Sequence, residues 1–183
     1  MKQSYTIVVF TENKIGLLNR ISAQFTQRHI NIESLTTSES EYPGIHRFTI
    51  VIEDTEEKTR KVVKQIEKQV EVLKAYCFTD AETIHSEIAL YKIKREDSLD
   101  LEKLHKLVKD NNASVKEMVN GFVIIEKTGT KEETHKLFEE LYPFGLHGFV
   151  RSGRVSLSNR MSTFKSYLQA LEIHSKEIIT DNF

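Results

Sequence analysis

Apolar and polar positions along the chain change period in a set order, and that order runs twice. Tyr5 to Phe10 is rich in β-branched and aromatic residues and reads as a buried strand. Gly16 then opens a helical pattern in which Leu18, Ile21 and Phe25 recur at helix spacing with Leu17 beside them, ending near His29. Ile30 and Ile32 alternate with Asn31 and Glu33, a short strand signal. Beyond the turn Tyr42-Pro43-Gly44, Phe48, Ile50 and Ile52 alternate with their neighbours as another strand. Glu56 to Lys68 follows as a charged helix with Val62, Val63, Ile66 and Val70 as its apolar stripe, and Val72 to Phe78 is a closing strand. The second round has a strand at Ile84 to Ile93 and a helix marked by Leu101, Leu104, Leu107 and Val108. Strands at Ala113 to Met118 and Phe122 to Glu126 flank an Asn120-Gly121 hairpin turn. Leu137, Phe138 and Leu141 mark the last helix, and His147 to Arg151 the last strand.

Strand, helix, strand, strand, helix, strand is the split βαβ order. The chain is therefore expected to be α+β, two consecutive ferredoxin-like (βαββαβ) units at 1–80 and 81–158. An amphipathic helical tail at 159–183 follows, with Phe164, Leu168, Leu171 and Ile178 on one face. Each unit has a thin core, so packing against another surface is expected.

Composition narrows the function classes. With 39% hydrophobic and 29% charged residues, the chain is expected to be globular, and its net charge of -1 offers no general attraction to phosphate backbones or anionic lipid. No apolar run reaches the ~20 residues of a membrane helix. The opening Met-Lys-Gln-Ser-Tyr leads directly into a strand-like run, and the single Cys77 suits a reducing compartment, so a cytoplasmic protein is expected. Cys77 sits in an apolar strand, where a buried, inert thiol is expected.

Catalytic chemistry is not visible. The seven histidines have no metal-ligand spacing, and His85-Ser86-Glu87 lacks the Pro-Cys-x-x-Cys half of a zinc deaminase signature. No nucleophile elbow, phosphate loop or dinucleotide fingerprint is present. Phe48 and Tyr76 lack the aromatic-rich strand motif and basic patch of an RNA-binding sheet. An acylphosphatase-like enzyme would need an arginine in the first loop, where this chain has Asn13 and Lys14.

The informative segment is Glu12-Asn13-Lys14-Ile15-Gly16-Leu17-Leu18-Asn19-Arg20, followed by Asn31-Ile32-Glu33-Ser34-Leu35. Backbone N–H groups at a helix start can receive a carboxylate, Gly16 allows close approach, and the Asn13 and Asn31 amides both donate and accept. The residues alone favour the plainer reading, in which Asn13 only caps the helix and Gly16 only eases the turn. This segment, with Gln27-Arg28-His29-Ile30 and the late Val150-Arg151-Ser152-Gly153-Arg154-Val155, resembles the small regulatory subunit of acetolactate (acetohydroxyacid) synthase, whose first unit is an ACT domain. The resemblance covers roughly residues 1 to 160.

The resemblance implies a non-catalytic chain that pairs with itself through ACT domains and binds the catalytic (large) subunit, raising its activity. Valine, or a related branched-chain amino acid, would bind between paired ACT domains and reverse that activation. The implied effector site is Asn13, Lys14, Ile15, Gly16, Leu17 and Leu18 from one chain with Asn31 and Ile32 from the other. Arg151, Ser152 and Gly153 are implied partner contacts. No cofactor or metal is expected in this chain; thiamine diphosphate, FAD and magnesium are expected in the catalytic partner. Two positions depart from the family pattern. His29 stands where glycine is usual, which predicts an altered end to the first helix. Leu17 is bulkier than the small residue of well-known valine-sensitive members, which predicts a crowded pocket. The alternative is a stand-alone ACT-domain amino-acid sensor acting on a different target.

Overall fold

In the computed structural model, which describes residues 1–95, 100–159 and 164–171, the first elements are β1 (Gln3–Glu12), α1 (Leu17–Thr26), β2 (Ile32–Glu39), β3 (Ile45–Asp54), α2 (Glu56–Ile66) and β4 (Val72–Thr79). Their sheet has the order β2-β3-β1-β4, with β1 antiparallel to both β3 and β4. That is the ferredoxin-like arrangement. β1 is buried from Tyr5 to Thr11 on both faces, which is why it reads as a continuous apolar run instead of an alternating one. Ile7, Val9, Leu17, Ile21, Phe25, Val62 and Ile66 are among the unit's buried residues. Burying each such side chain contributes about 2 kcal/mol.

The end of α1 accounts for one departure. Ile30 N–H donates to Phe25 O at 3.0 Å and His29 N–H to Thr26 O at 3.1 Å, the two bonds of a Schellman stop. The residue between them must be left-handed, and His29 adopts φ +54°. The helix therefore ends in the ordinary glycine-type manner, not in an altered one, and the histidine takes on the backbone cost that glycine avoids. Val70 corrects another expectation. α2 ends at Ile66, and Val70, beyond it, is exposed and not part of the buried stripe.

The second series is β5 (Thr83–Lys94), α3 (Leu101–Asp110), β6 (Ser114–Val119), β7 (Phe122–Gly129), α4 (Lys131–Leu141) and β8 (Leu146–Arg151). The order β6-β7-β5-β8 repeats the first sheet's topology. Asn120 and Gly121 have φ of +51° and +76°, as a type I′ hairpin requires. Tyr91, Leu104, Val108, Ile125, Leu137 and Leu141 lie in its core. Tyr91 O–H donates to Thr134 O at 2.6 Å, and burial pushes the phenol up to about 12.

A further strand, β9 (Val155–Ser158), pairs with β5. It lacks an apolar signature because its buried residue is Ser156, while Val155 and Leu157 face solvent. The chain divides into two compact units, Met1–Glu33 with Thr37–Ile84 and Ser156–Phe183, and Ser34–Thr36 with His85–Val155. Three residues of β2 thus go with the second unit, and the segment from Ser156 goes with the first. Residues 164–171 are helical, with Phe164 buried, Leu168 half-buried and Leu171 exposed. Ile178 lies outside the described residues. Among the described residues no helix is long and apolar enough to cross a membrane.

Candidate functional site

The loop between β1 and α1 carries Asn13, Lys14, Ile15 and Gly16, all exposed. Asn13 N–H donates to Gly44 O at 3.2 Å, so the Tyr42-Pro43-Gly44 turn holds the loop from behind. Gly16 is the N-cap of α1 at φ +82°, and no heavy atom lies within 4 Å of where a Cβ would stand. Glycine is needed there for its left-handed backbone, and the space before it is open. No side chain caps α1, so Asn13 is not a helix cap. Leu17 N–H reaches Lys14 O only at 3.4 Å.

Leu17 corrects a further expectation. Its side chain is 2% exposed, turned into the core with Ile21 and Phe25, so it cannot crowd a pocket at the loop. The apolar groups that stand in solvent at this end are Ile15 and Leu18.

Electrostatically the start of α1 differs from the others. α2, α3 and α4 each carry at least one glutamate in the first turn, whereas α1 has no acidic residue there. The positive end of its dipole is unneutralised from within the helix, which favours an external anion. Beside it, Arg20 Nη2 donates to Glu71 Oε1 at 2.8 Å, and Glu71 O accepts Glu12 N–H at 3.0 Å. The hydrogen bond from Arg20 holds the Glu71 carboxyl below its ordinary value, helped by a backbone hydrogen bond and by the charges of Arg20 and Lys14. Lys14 Nζ itself lies 3.5 Å from Glu12 Oε2.

Asn31 and Ile32 are not brought to this loop within one chain. They follow α1, whose 10 residues separate them from Gly16 by about 15 Å along the helix axis. Asn31 Nδ2 donates to Glu33 Oε1 at 2.7 Å, and Ile32 is half-buried.

Arg151, Ser152 and Gly153 are engaged inside the second unit. Arg151 Nε lies 3.0 Å from Glu87 Oε2, and its Nη1 donates to Lys131 O and Thr134 Oγ1, each at 3.3 Å. Ser152 N–H donates to Ile88 O at 2.8 Å, and its Oγ accepts Ile88 N–H at 2.9 Å. At Gly153 a Cβ would stand 2.6 Å from Thr36 Cγ2 and 2.7 Å from Ser34 Oγ. Ser34 Oγ accepts Arg154 N–H at 3.1 Å, and Thr36 Oγ1 donates to Arg154 O at 3.0 Å. The Ser34–Leu35 end of one motif and the Gly153–Arg154 end of the other thus form one knot. Glycine at 153 is a requirement of close approach.

Among the described residues no group of three or more His, Cys, Asp or Glu could hold a metal. A cavity of about 440 Å³ in the first unit is lined by Gln3, Glu56, Arg60, Val63 and Cys77, among others. Cys77 is half-buried on its wall, and not fully buried as its strand pattern suggested. Arg60 pairs with Glu56 at 2.6 Å, as their four-residue spacing allows.

Comparison with known proteins gives this arrangement a class. The family described as an AHAS small subunit-like ACT domain matches residues 7–74, and the family described as the small subunit of acetolactate synthase matches residues 86–160. The fold is that of two ferredoxin-like units of which the first is an ACT domain. The acetolactate synthase small subunit of Bacillus subtilis (strain 168) is 32% identical over 159 residues, 86% of this chain and 91% of its own. That of Mycolicibacterium smegmatis is 31% identical over 155 residues, 85% of this chain and 91% of its own. The chain belongs to the acetolactate synthase small subunit family. Its fold matches the crystal structure of the Thermotoga maritima small subunit with a TM-score of 0.78 at 24% identity, covering 88% of this chain and 99% of that one.

Proposed function

We propose that this chain is a non-catalytic regulatory subunit that activates an acetolactate synthase catalytic subunit and confers feedback inhibition by valine or a related branched-chain amino acid. Thiamine diphosphate, FAD and magnesium belong to the catalytic partner, in the cytoplasm. The observation that carries the reading is the start of α1, which is uncapped, free of acidic residues and opened by Gly16. A ligand carboxylate accepts backbone N–H groups there. The Asn13 amide, exposed beside it, pairs with the ammonium group. Ile15 and Leu18 offer aliphatic surface to a branched side chain. Two chains pair through their ACT domains, so that Asn31 and Ile32 of one complete the site of the other. The distance between the two residue groups within one chain supports that division. Binding and activity are then coupled across two sites, typically by about 1–3 kcal/mol.

The test is acetolactate formation by the cognate catalytic subunit, with and without this chain, across a valine titration. Activation that valine reverses is the expected result. Activation indifferent to every branched-chain amino acid would remove the effector assignment, and no activation would favour a stand-alone sensor acting elsewhere.

A further inference from the structure

We propose that the helix at residues 164–171 is a strap that positions the effector loop, with Phe164 as its positioning residue; this rests on reading Asn13 to Leu18 as that loop. Val8 and Phe10 alternate with Ile7 and Val9 along β1, so the two pairs lie on opposite faces of the first sheet. Register places Lys74 and Tyr76 beside Phe10 and Val8 across the β1–β4 pair, and Phe78 beside Thr6. Val8, Phe10 and Phe78 form a buried cluster with Phe164, and Tyr167 and Leu168 pack against it. The rings of Phe10 and Phe164 stack at 4.0 Å with 1° between their planes. Lys74 Nζ stands over Tyr167 at 5.7 Å and over Tyr76 at 5.9 Å. The family match ends at residue 160, before this cover begins.

What the strap presses on gives it a function. Phe164 meets Tyr42 edge-on at 5.6 Å, and Ile45 belongs to the same cluster. Those two residues bracket Gly44, whose carbonyl holds Asn13. The turn is closed locally by Ile45 N–H to Tyr42 O at 3.1 Å and by Ser40 N–H to Ile45 O at 2.8 Å. Phe10, the other ring under Phe164, lies on β1 three residues before Asn13. The strap thus bears on both supports of the loop at once, the end of β1 and the turn behind it. With the strap docked, Asn13 and the start of α1 are held in the geometry that receives a ligand. With it released, the turn and the loop loosen together.

Amide hydrogen exchange on the full chain tests this without any effector. In Phe164→Ala the Asn13 and Ile45 amides should exchange roughly tenfold faster or more, while α2 amides such as Ile66 keep their protection. Phe164→Leu should restore most of the loss. A valine titration of the same variants should show weakened binding in Phe164→Ala alone. Unchanged exchange at Asn13 and Ile45 would overturn the proposal. So would a uniform rise across the first unit, which would make Phe164 a general contributor to stability. If exchange changes as stated but wild-type chain binds no branched-chain amino acid, the strap stands and the effector reading falls. If exchange is unchanged while valine still binds the wild-type chain, the strap falls and the effector reading stands.

Discussion

Helices α1 and α3 hold the same place in their βαββαβ units and end in the same way, yet they begin differently. Both stop in a Schellman motif with a left-handed residue, His29 in one and Asn112 in the other. At the start, Asp100 caps α3 by accepting Lys103 N–H at 3.0 Å, and Glu102 follows in the first turn. α1 has Gly16 in place of the cap and no carboxylate of its own. A helix start that carries its own anion is complete, whereas one without it has capacity for a ligand. The repeat therefore supplies two similar scaffolds, of which the first has its helix start left open.

Closing the open start is the strongest way to break this contrast. Gly16→Asp makes α1 resemble α3 and places a like charge against the ligand carboxylate. The expected loss is about 3 kcal/mol, roughly 100-fold in valine affinity. Asn13→Ala should likewise abolish the valine response, and in both variants activation of the catalytic subunit should persist. Equal loss of both responses in assay would count against separate sensing and activating surfaces.

Smaller effects are expected at other positions. Gly153→Ala should destabilise the second unit by about 2 kcal/mol, because Ser34 and Thr36 must give way to the new methyl group. Denaturant melts followed by residue-resolved probes would show the second unit weakened. Asp100→Ala removes a cap and should cost about 1 kcal/mol in that unit without altering valine binding. At the matched helix ends, His29→Gly should stabilise by about 1 kcal/mol and Asn112→Gly by less, since asparagine tolerates the left-handed region better. Equal gains would mean that asparagine has no advantage over histidine at the left-handed stop.

The weakest effect is one of pH. The folded state holds Glu71 below the ordinary glutamate value through Arg20. A depressed carboxyl contributes stability that is complete above its unfolded value and is lost as pH falls through its folded one. Acid should therefore loosen the β1–α1 end, and Arg20→Gln should remove that dependence when Asn13 exchange is followed from neutral to acid pH.

The element order, the Asn120-Gly121 turn and the candidate loop were legible because each has a local signature of period or turn chemistry. The inward aim of Leu17 was not, since four apolar residues crowd one helix face and periodicity alone does not rank them. β9 escaped because its buried residue is a serine. The knot of Ser34 and Thr36 with Gly153 and Arg154 joins positions more than a hundred residues apart, and only the family likeness linked the two motifs in the sequence. The support of Asn13 by Gly44 was hidden for the same reason, because a turn reads as a turn whatever its carbonyl holds.

On the proposed reading the first unit's helix start takes the effector carboxylate and the second unit's does not. Amide chemical shifts of the full chain during a valine titration test it most directly. Saturable shifts are expected at Gly16, Leu18 and Asn19, with Lys103 and its neighbours on α3 unmoved. Shifts centred on α3, or none at α1 while inhibition is retained, would contradict it.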